Sequence, residues 1–179
     1  MSVAASRIAP GPRSGICATL LAALLVAVCP IAAATPARSL LNKSAPEFAR
    51  TDLAGRALDL RSYRGRVVLL NFWASWCAPC QIEMPVFAAW QRTYSSGSLQ
   101  VIAISMDDDA AQARPVVSKL KLNYPVAMGD EKLGALYGGV LGLPLTYLID
   151  KHGIVRARFQ GETDLAIIEK QMKLLLAKP

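Results

Sequence analysis

The sequence predicts an α/β fold: a mixed central sheet flanked by helices, preceded by an N-terminal β-hairpin. Three observations predict it. The run Val67–Trp73 is apolar almost without alternation, as a strand covered on both faces must be. Segments of strand period and helix period alternate from there to residue 121. The chain then closes with two extended segments across a glycine turn and one last amphipathic helix.

Taken in order, Phe48 to Asp52 and Ala57 to Leu60 are short extended segments joined by Ala54-Gly55-Arg56, where the glycine supplies the turn. Gly65 ends the connection to the central strand. From Ala78 to Tyr94, residues Ile82, Met84, Val86, Phe87 and Trp90 suit a helix, with Pro85 deleting one backbone donor inside it. Serine and glycine at 95–98 break that helix, and Leu99 to Ser105 is a second strand. Asp107, Asp108 and Asp109 offer a cap and a solvated loop before a helix ending near Lys121; Pro115 sits either in its first turn or inside an earlier start. Tyr124 to Ala127 is a short extended piece, and Glu131 to Tyr137 a short helix closed by Gly138 and Gly139. Leu145 to Asp150 and Ile154 to Gln160 form a hairpin across Lys151-His152-Gly153. Leu165, Ile168, Met172 and Leu175 lie near one stripe of the final helix.

The chain has 179 residues, 53% hydrophobic and 18% charged, which suffices for one domain with a sizeable core and not for a second full one. Residues 1–34 differ from the rest. Arg7 and Arg13 precede the apolar tract 16–29, and Ala32-Ala33-Ala34 comes after it, the order of a secretory leader. Pro30 interrupts the tract before the ~20 residues a membrane span needs, which favours cleavage near Ala34 over retention as an anchor. Residues 35–46, with Pro36 and Pro46, read as a linker, and the domain is expected over 47–179. The net charge of +7 includes the two leader arginines, and the remainder suits solubility or loose attraction to an anionic surface, not nucleic acid.

Of the four cysteines, Cys17 and Cys29 belong to the leader, so an exported domain carries only Cys77 and Cys80. Bridging so short a loop removes little entropy from the unfolded chain, so redox chemistry explains the pair better than stapling. Trp76-Cys77-Ala78-Pro79-Cys80 comes directly after the central strand and opens a helix. Unsatisfied amides and the positive end of the helix dipole there stabilise a thiolate. An ordinary thiol of pKa ~8.5 is only about 3% ionised at pH ~7. Cys77 is expected as the exposed, attacking sulfur and Cys80, one turn further in, as the resolving one.

Phe72-Trp73-Ala74-Ser75-Trp76-Cys77-Ala78-Pro79-Cys80, with Pro85 beyond it, and Gly142-Leu143-Pro144-Leu145-Thr146-Tyr147-Leu148-Ile149-Asp150 together resemble the two signatures of the thioredoxin superfamily. Within it they resemble the exported TlpA/ResA-like, redoxin-type group, over residues 40 to 176. The resemblance implies a thioredoxin-like fold in which a cis Leu143–Pro144 bond packs beside the disulfide, leaving the Leu143 backbone to pair with a partner's extended chain. It implies that Glu83, three residues after Cys80 and on the same helical face, influences the cysteines. Two positions depart from the pattern. Asn71 stands where thioredoxin has a buried aspartate, so a base assisting Cys80 must be Glu83 or solvent, and Leu145 comes after the proline where threonine is frequent.

The implied activity is thiol–disulfide exchange that reduces protein disulfides, in the periplasm or at the outer face of the cytoplasmic membrane, with apocytochrome c among the implied clients. A membrane thiol donor recharges the pair, a retained leader provides a membrane tether, and no organic cofactor is implied beyond the Cys77–Cys80 disulfide. Two other classes compete. A peroxiredoxin-type thiol peroxidase expects a threonine-flanked cysteine preceded by proline, and Trp76 precedes Cys77. A copper-delivery or other metal-binding module needs further ligands, and the segment after the leader offers only His152, in an expected turn. Trp73 is expected in the core and Trp76 at the surface beside the site.

Overall fold

The computed structural model describes residues 39–94 and 98–178. The expected leader 1–34 and the start of the expected break after Tyr94 lie outside these residues. Two short strands, β1 (Ala49–Thr51) and β2 (Ala57–Asp59), form the expected hairpin and lead through a 3-10 turn, Leu60–Tyr63, to β3 (Val67–Trp73). Next come α1 (Ala78–Tyr94), β4 (Leu99–Ser105), α2 (Ala110–Lys119), β5 (Val126–Met128), α3 (Glu131–Leu136), β6 (Leu145–Ile149), β7 (Val155–Gln160) and α4 (Leu165–Leu176). The sheet order is β5-β4-β3-β6-β7, with β3 parallel to β4 and antiparallel to β6.

All seven residues of β3 are buried, and their period-two alternation divides the core. Leu69 and Trp73 join Met84, Phe87, Ile168 and Met172 on the α1/α4 side, whereas Val68, Leu70 and Phe72 join Phe48, Leu58, Leu133 and Tyr137 on the other. This explains why β3 shows no polar face in the sequence: helices cover one side, and α3 with the hairpin covers the other.

The starts of α2 and α3 are set by acids. Asp109 caps α2 in a reciprocal arrangement with Gln112, so α2 begins early and encloses Pro115. Asp130 caps α3 and also pairs with Arg50 of β1 at 2.9 Å. Gly138 and Gly139, at φ of +85° and +81°, end α3 as expected.

The expected linker behaves differently. Asn42 donates to the Val155 carbonyl (2.8 Å), Val155 to that of Lys43 (2.9 Å) and Ala45 to that of Gly153 (2.9 Å), with Ala45 buried. This stretch docks on the outer edge of β7 before Glu47 is reached, because an unpaired strand edge recruits any backbone able to pair with it. The hairpin treats β5 likewise, Leu53 donating to Val126 at 2.7 Å.

Two buried aspartates organise the turns. Asp52 accepts from the Ala54 and Arg56 amides and the Arg56 guanidinium, and Asp150 from the His152 and Ile154 amides and Arg156. Burial pushes both carboxyls up, but these donors overcome it and hold both below the usual carboxylate value. With folded values depressed, the unfolded chain binds more protons as the pH falls below about 4, so this stability is present above that pH and lost through the depressed values. Asp52→Asn and Asp150→Asn are each expected to cost about 1–2 kcal/mol at pH 7, with the gap to the parent narrowing at pH 3 in urea titrations.

Candidate active site

β3 carries the chain to the dithiol, and a buried carboxylate fixes the loop between them. Asp107, 6% exposed, accepts the Ser75 amide at both oxygens (2.9 and 3.0 Å), the Ser75 hydroxyl (2.8 Å) and the Ser105 hydroxyl (2.8 Å). The Met106 amide donates to the Trp73 carbonyl at 2.8 Å, so the ends of β3 and β4 are tied twice. The expectation of a cap and a solvated acidic loop therefore holds for the exposed Asp108 and Asp109 and fails for Asp107. Asp109 is the α2 cap, and Asp107 is drawn inward by donors that replace its water.

Cys77 immediately precedes α1 and is bonded to Cys80, with S–S 2.02 Å and Cα–Cα 5.3 Å. The Cys80 amide donates to Cys77 Sγ at 3.3 Å, so one of the free amides of the first turn points at this sulfur. The Gln81 side-chain amide donates to the Ser75 carbonyl at 2.7 Å, bracing the loop from the other side. Cys77 is 4% exposed and Cys80 0%, so the order of access is the expected one but Cys77 is not open. The Cys77 sulfur lies against the start of α1, and the large apolar groups near it in sequence that stand in solvent are Trp76 at 72% and Ile82 at 67%. Pro79 is half-buried within the first turn.

The Leu143–Pro144 bond is cis. Half-buried Leu143 packs on the core cluster that contains both cysteines, and Pro144 is buried beside it in sequence, its carbonyl accepting the Gly161 amide at 2.8 Å. Trp73 is fully buried, and His152 is exposed in its turn. Among the described residues, no group of three or more His, Cys, Asp and Glu is placed to hold a metal ion.

Glu83 is the unusual group. It is 4% exposed, and neither carboxylate oxygen has a hydrogen-bond partner within bonding geometry. Burial pushes its pKa up to about 7; the Thr163 backbone amide pulls back in part, and the charge of Glu162 adds to the rise. Asn71 is also buried, its Nδ2 donating to Thr146 Oγ1 at 3.0 Å, and an amide cannot exchange a proton. Nothing in the sequence marks Thr163 and Glu162, because only the fold brings the β7–α4 connection over the start of α1.

The comparisons agree with this geometry. The AhpC/TSA family profile matches residues 41–158. The thiol-disulfide oxidoreductase ResA of Bacillus thuringiensis subsp. konkukian is 35% identical over 135 residues, 74% of this chain and 77% of that one. The thioredoxin-like protein YneN of Bacillus subtilis is 31% identical over 136 residues, 74% and 79% of the two chains. A crystal structure from Chlorobium tepidum, assigned as the thiol:disulfide interchange protein DsbE, superposes with a TM-score of 0.71 at 31% identity, covering 76% of this chain and 98% of its own. The fold is thioredoxin-like, the Cys77–Cys80 pair is that of a disulfide oxidoreductase, and the chain belongs to the AhpC/TSA family alongside the ResA thiol–disulfide oxidoreductases.

Proposed function

We propose that the protein works outside the cytoplasm as a reductant of protein disulfides, with Cys77 attacking and Cys80 resolving. The observation that carries the roles is the Cys80 amide donating to Cys77 Sγ at the start of α1, which favours negative charge on that sulfur and offers none to Cys80. The leader-like residues 1–34 support export, to the periplasm or the outer face of the cytoplasmic membrane. If the leader is retained it tethers the domain there.

In the reduced protein the Cys77 thiolate attacks one sulfur of a client disulfide; a mixed disulfide forms and the client's other sulfur leaves as a thiolate. Cys80 then gives up its proton and attacks Cys77 Sγ, closing the Cys77–Cys80 bond and releasing the second client thiol. Two electrons pass to the client. Glu83, one turn beyond Cys80 and with a pKa near neutrality, is the group we assign to take the Cys80 proton. A membrane-bound dithiol donor returns two electrons to the pair, and no organic cofactor enters. Trp76, Pro79, Leu143 and Pro144 form the surface a client meets, an extended client chain pairing with the Leu143 backbone. Apocytochrome c, whose haem-attachment cysteines must be reduced, is the client class we favour.

Two experiments test this. Reduced Cys80→Ser is expected to accumulate client-linked mixed disulfides on non-reducing gels and Cys77→Ser none; the reverse pattern would exchange the two roles. No hydrogen peroxide consumption is expected, and turnover of peroxide at a rate matching disulfide exchange would favour the peroxidase reading.

Glu83 gives a pH prediction with a definite sign. Its folded pKa lies above its unfolded one, so between about pH 4.3 and 7 the folded state binds more protons and stability falls as pH rises. Glu83→Gln is expected to remove that slope, leaving the variant more stable than its parent at pH 8 in urea titrations. The same change is expected to slow mixed-disulfide resolution on the order of 10²-fold and to erase an inflection near pH 7 in its rate.

A further inference from the structure

Arg50, Arg56, Arg61, Arg64 and Arg156 each pair with a carboxylate, whereas Arg158 of β7 has no such partner among the described residues. Its guanidinium is nevertheless held in place. Arg158 Nε donates to Tyr147 Oη at 3.1 Å and Nη2 to Gln160 Oε1 at 2.6 Å, and the guanidinium carbon lies 6.0 Å from the Tyr147 ring centroid. Tyr147 Oη in turn donates to the Tyr137 carbonyl at 2.6 Å, and Tyr137 Oη to that of Pro46 at 2.7 Å. A relay of neutral groups thus orients the cation, whose Nη1 makes no hydrogen bond among the described residues, and Arg158 lines a half-open cleft of about 260 Å³ with Ser39, Tyr137, Leu141, Tyr147 and Gln160.

The cleft borders the segment that carries the cis proline, since Leu141 lines it. Leu141, 85% exposed, stands two residues before Leu143, which packs on the cluster of Cys77 and Cys80. Gln160 approaches Gly142, and Leu145 pairs with Gln160 across the sheet. A peptide extended along Leu143 and continuing over Leu141 runs toward Arg158, which pairs with Tyr147 two residues beyond the Leu145–Gln160 pair.

Resting on the reductant reading above, we infer that this cleft is a client subsite that takes an acidic side chain flanking the attacked cysteine, with Arg158 as the specificity-determining residue. A fixed planar fork with free donors suits a carboxylate, and a cation already braced by neutral acceptors loses little freedom when it binds one.

The test uses pairs of synthetic disulfide-bonded peptides that differ only by Glu or Gln at one position, scanned through four residues either side of the attacked cysteine. Reduction by the dithiol form of the protein is followed at low salt. At the best position the parent is expected to favour Glu about tenfold in kcat/KM, roughly the yield of one charge-assisted hydrogen bond. Arg158→Gln is expected to bring the ratio near one, Arg158→Lys to keep part of it, and Lys170→Gln, the same charge change on α4, to keep it whole. Each ratio is taken within one protein, so a variant's folded fraction cancels. Equal rates for Glu and Gln in the parent at every position, or a preference that survives Arg158→Gln, overturn the subsite alone. Failure to reduce either peptide overturns the reductant reading, and the subsite with it.

Discussion

The dithiol is where it is because β3 has nowhere to shed its buried ends except onto β4. A strand dry on both faces must leave the sheet without stranding backbone groups, and the turn after Trp73 does so by engaging Asp107, which gathers the Ser75 amide and two hydroxyls at one buried carboxylate. The clasp holds the loop two residues before Cys77. It also fixes the direction in which α1 departs, and with it the amide that meets the Cys77 sulfur. Sheet register, loop and helix start are one connected arrangement, and a shift of any would move the sulfur relative to Leu143.

Two acids within this small region show opposite solutions to burial. Asp107 is surrounded by donors, so its charge is solvated by the protein. Glu83 has no partner within hydrogen-bonding geometry at either oxygen, so burial lifts the same chemical group to a pKa of about 7. A structural carboxylate has no need of the second arrangement, which costs stability whenever the group is charged. The place of Glu83 one turn from the dithiol supports the proton-exchanging role proposed for it.

Much of the fold was legible, and the reason lies in period and punctuation. The bounds of β3, α1 and β4 coincide with those read from the sequence, since long apolar runs and a proline-bearing helical stripe leave few alternatives. The hairpins were marked by Gly55 and Gly153, both at positive φ. The residues mis-assigned were those whose role depends on a distant partner. Asn42 to Ala45 carry no strand signal of their own and are extended only because the β7 edge is there to receive them. Asp107 reads as a loop acid until Ser75, thirty-two residues away, is brought to it. Glu83 is placed on the Cys80 face by its spacing, but its burial, with Thr163 and Glu162 of the β7–α4 connection beside it, is set by the fold.

Glu83 lies one helical turn from Cys80, and under the proton-accepting role proposed for it the two groups would not titrate independently. A thiolate on either sulfur would raise the Glu83 pKa further, and a charged Glu83 would raise that of the thiol, so the protons belong to the cluster and not to single residues. Oxidation removes the thiol protons and one of these repulsions together, leaving Glu83 with the burial-raised value of the disulfide form. By linkage, whatever difference exists between Glu83 in the two redox states must reappear as a pH dependence of the dithiol couple beyond the two protons of the sulfurs themselves. Under the proposed role, charge at Glu83 would tie the reducing power of the site to the acidity of its surroundings, a coupling in which Asn71, an amide bonded to Thr146, takes no part.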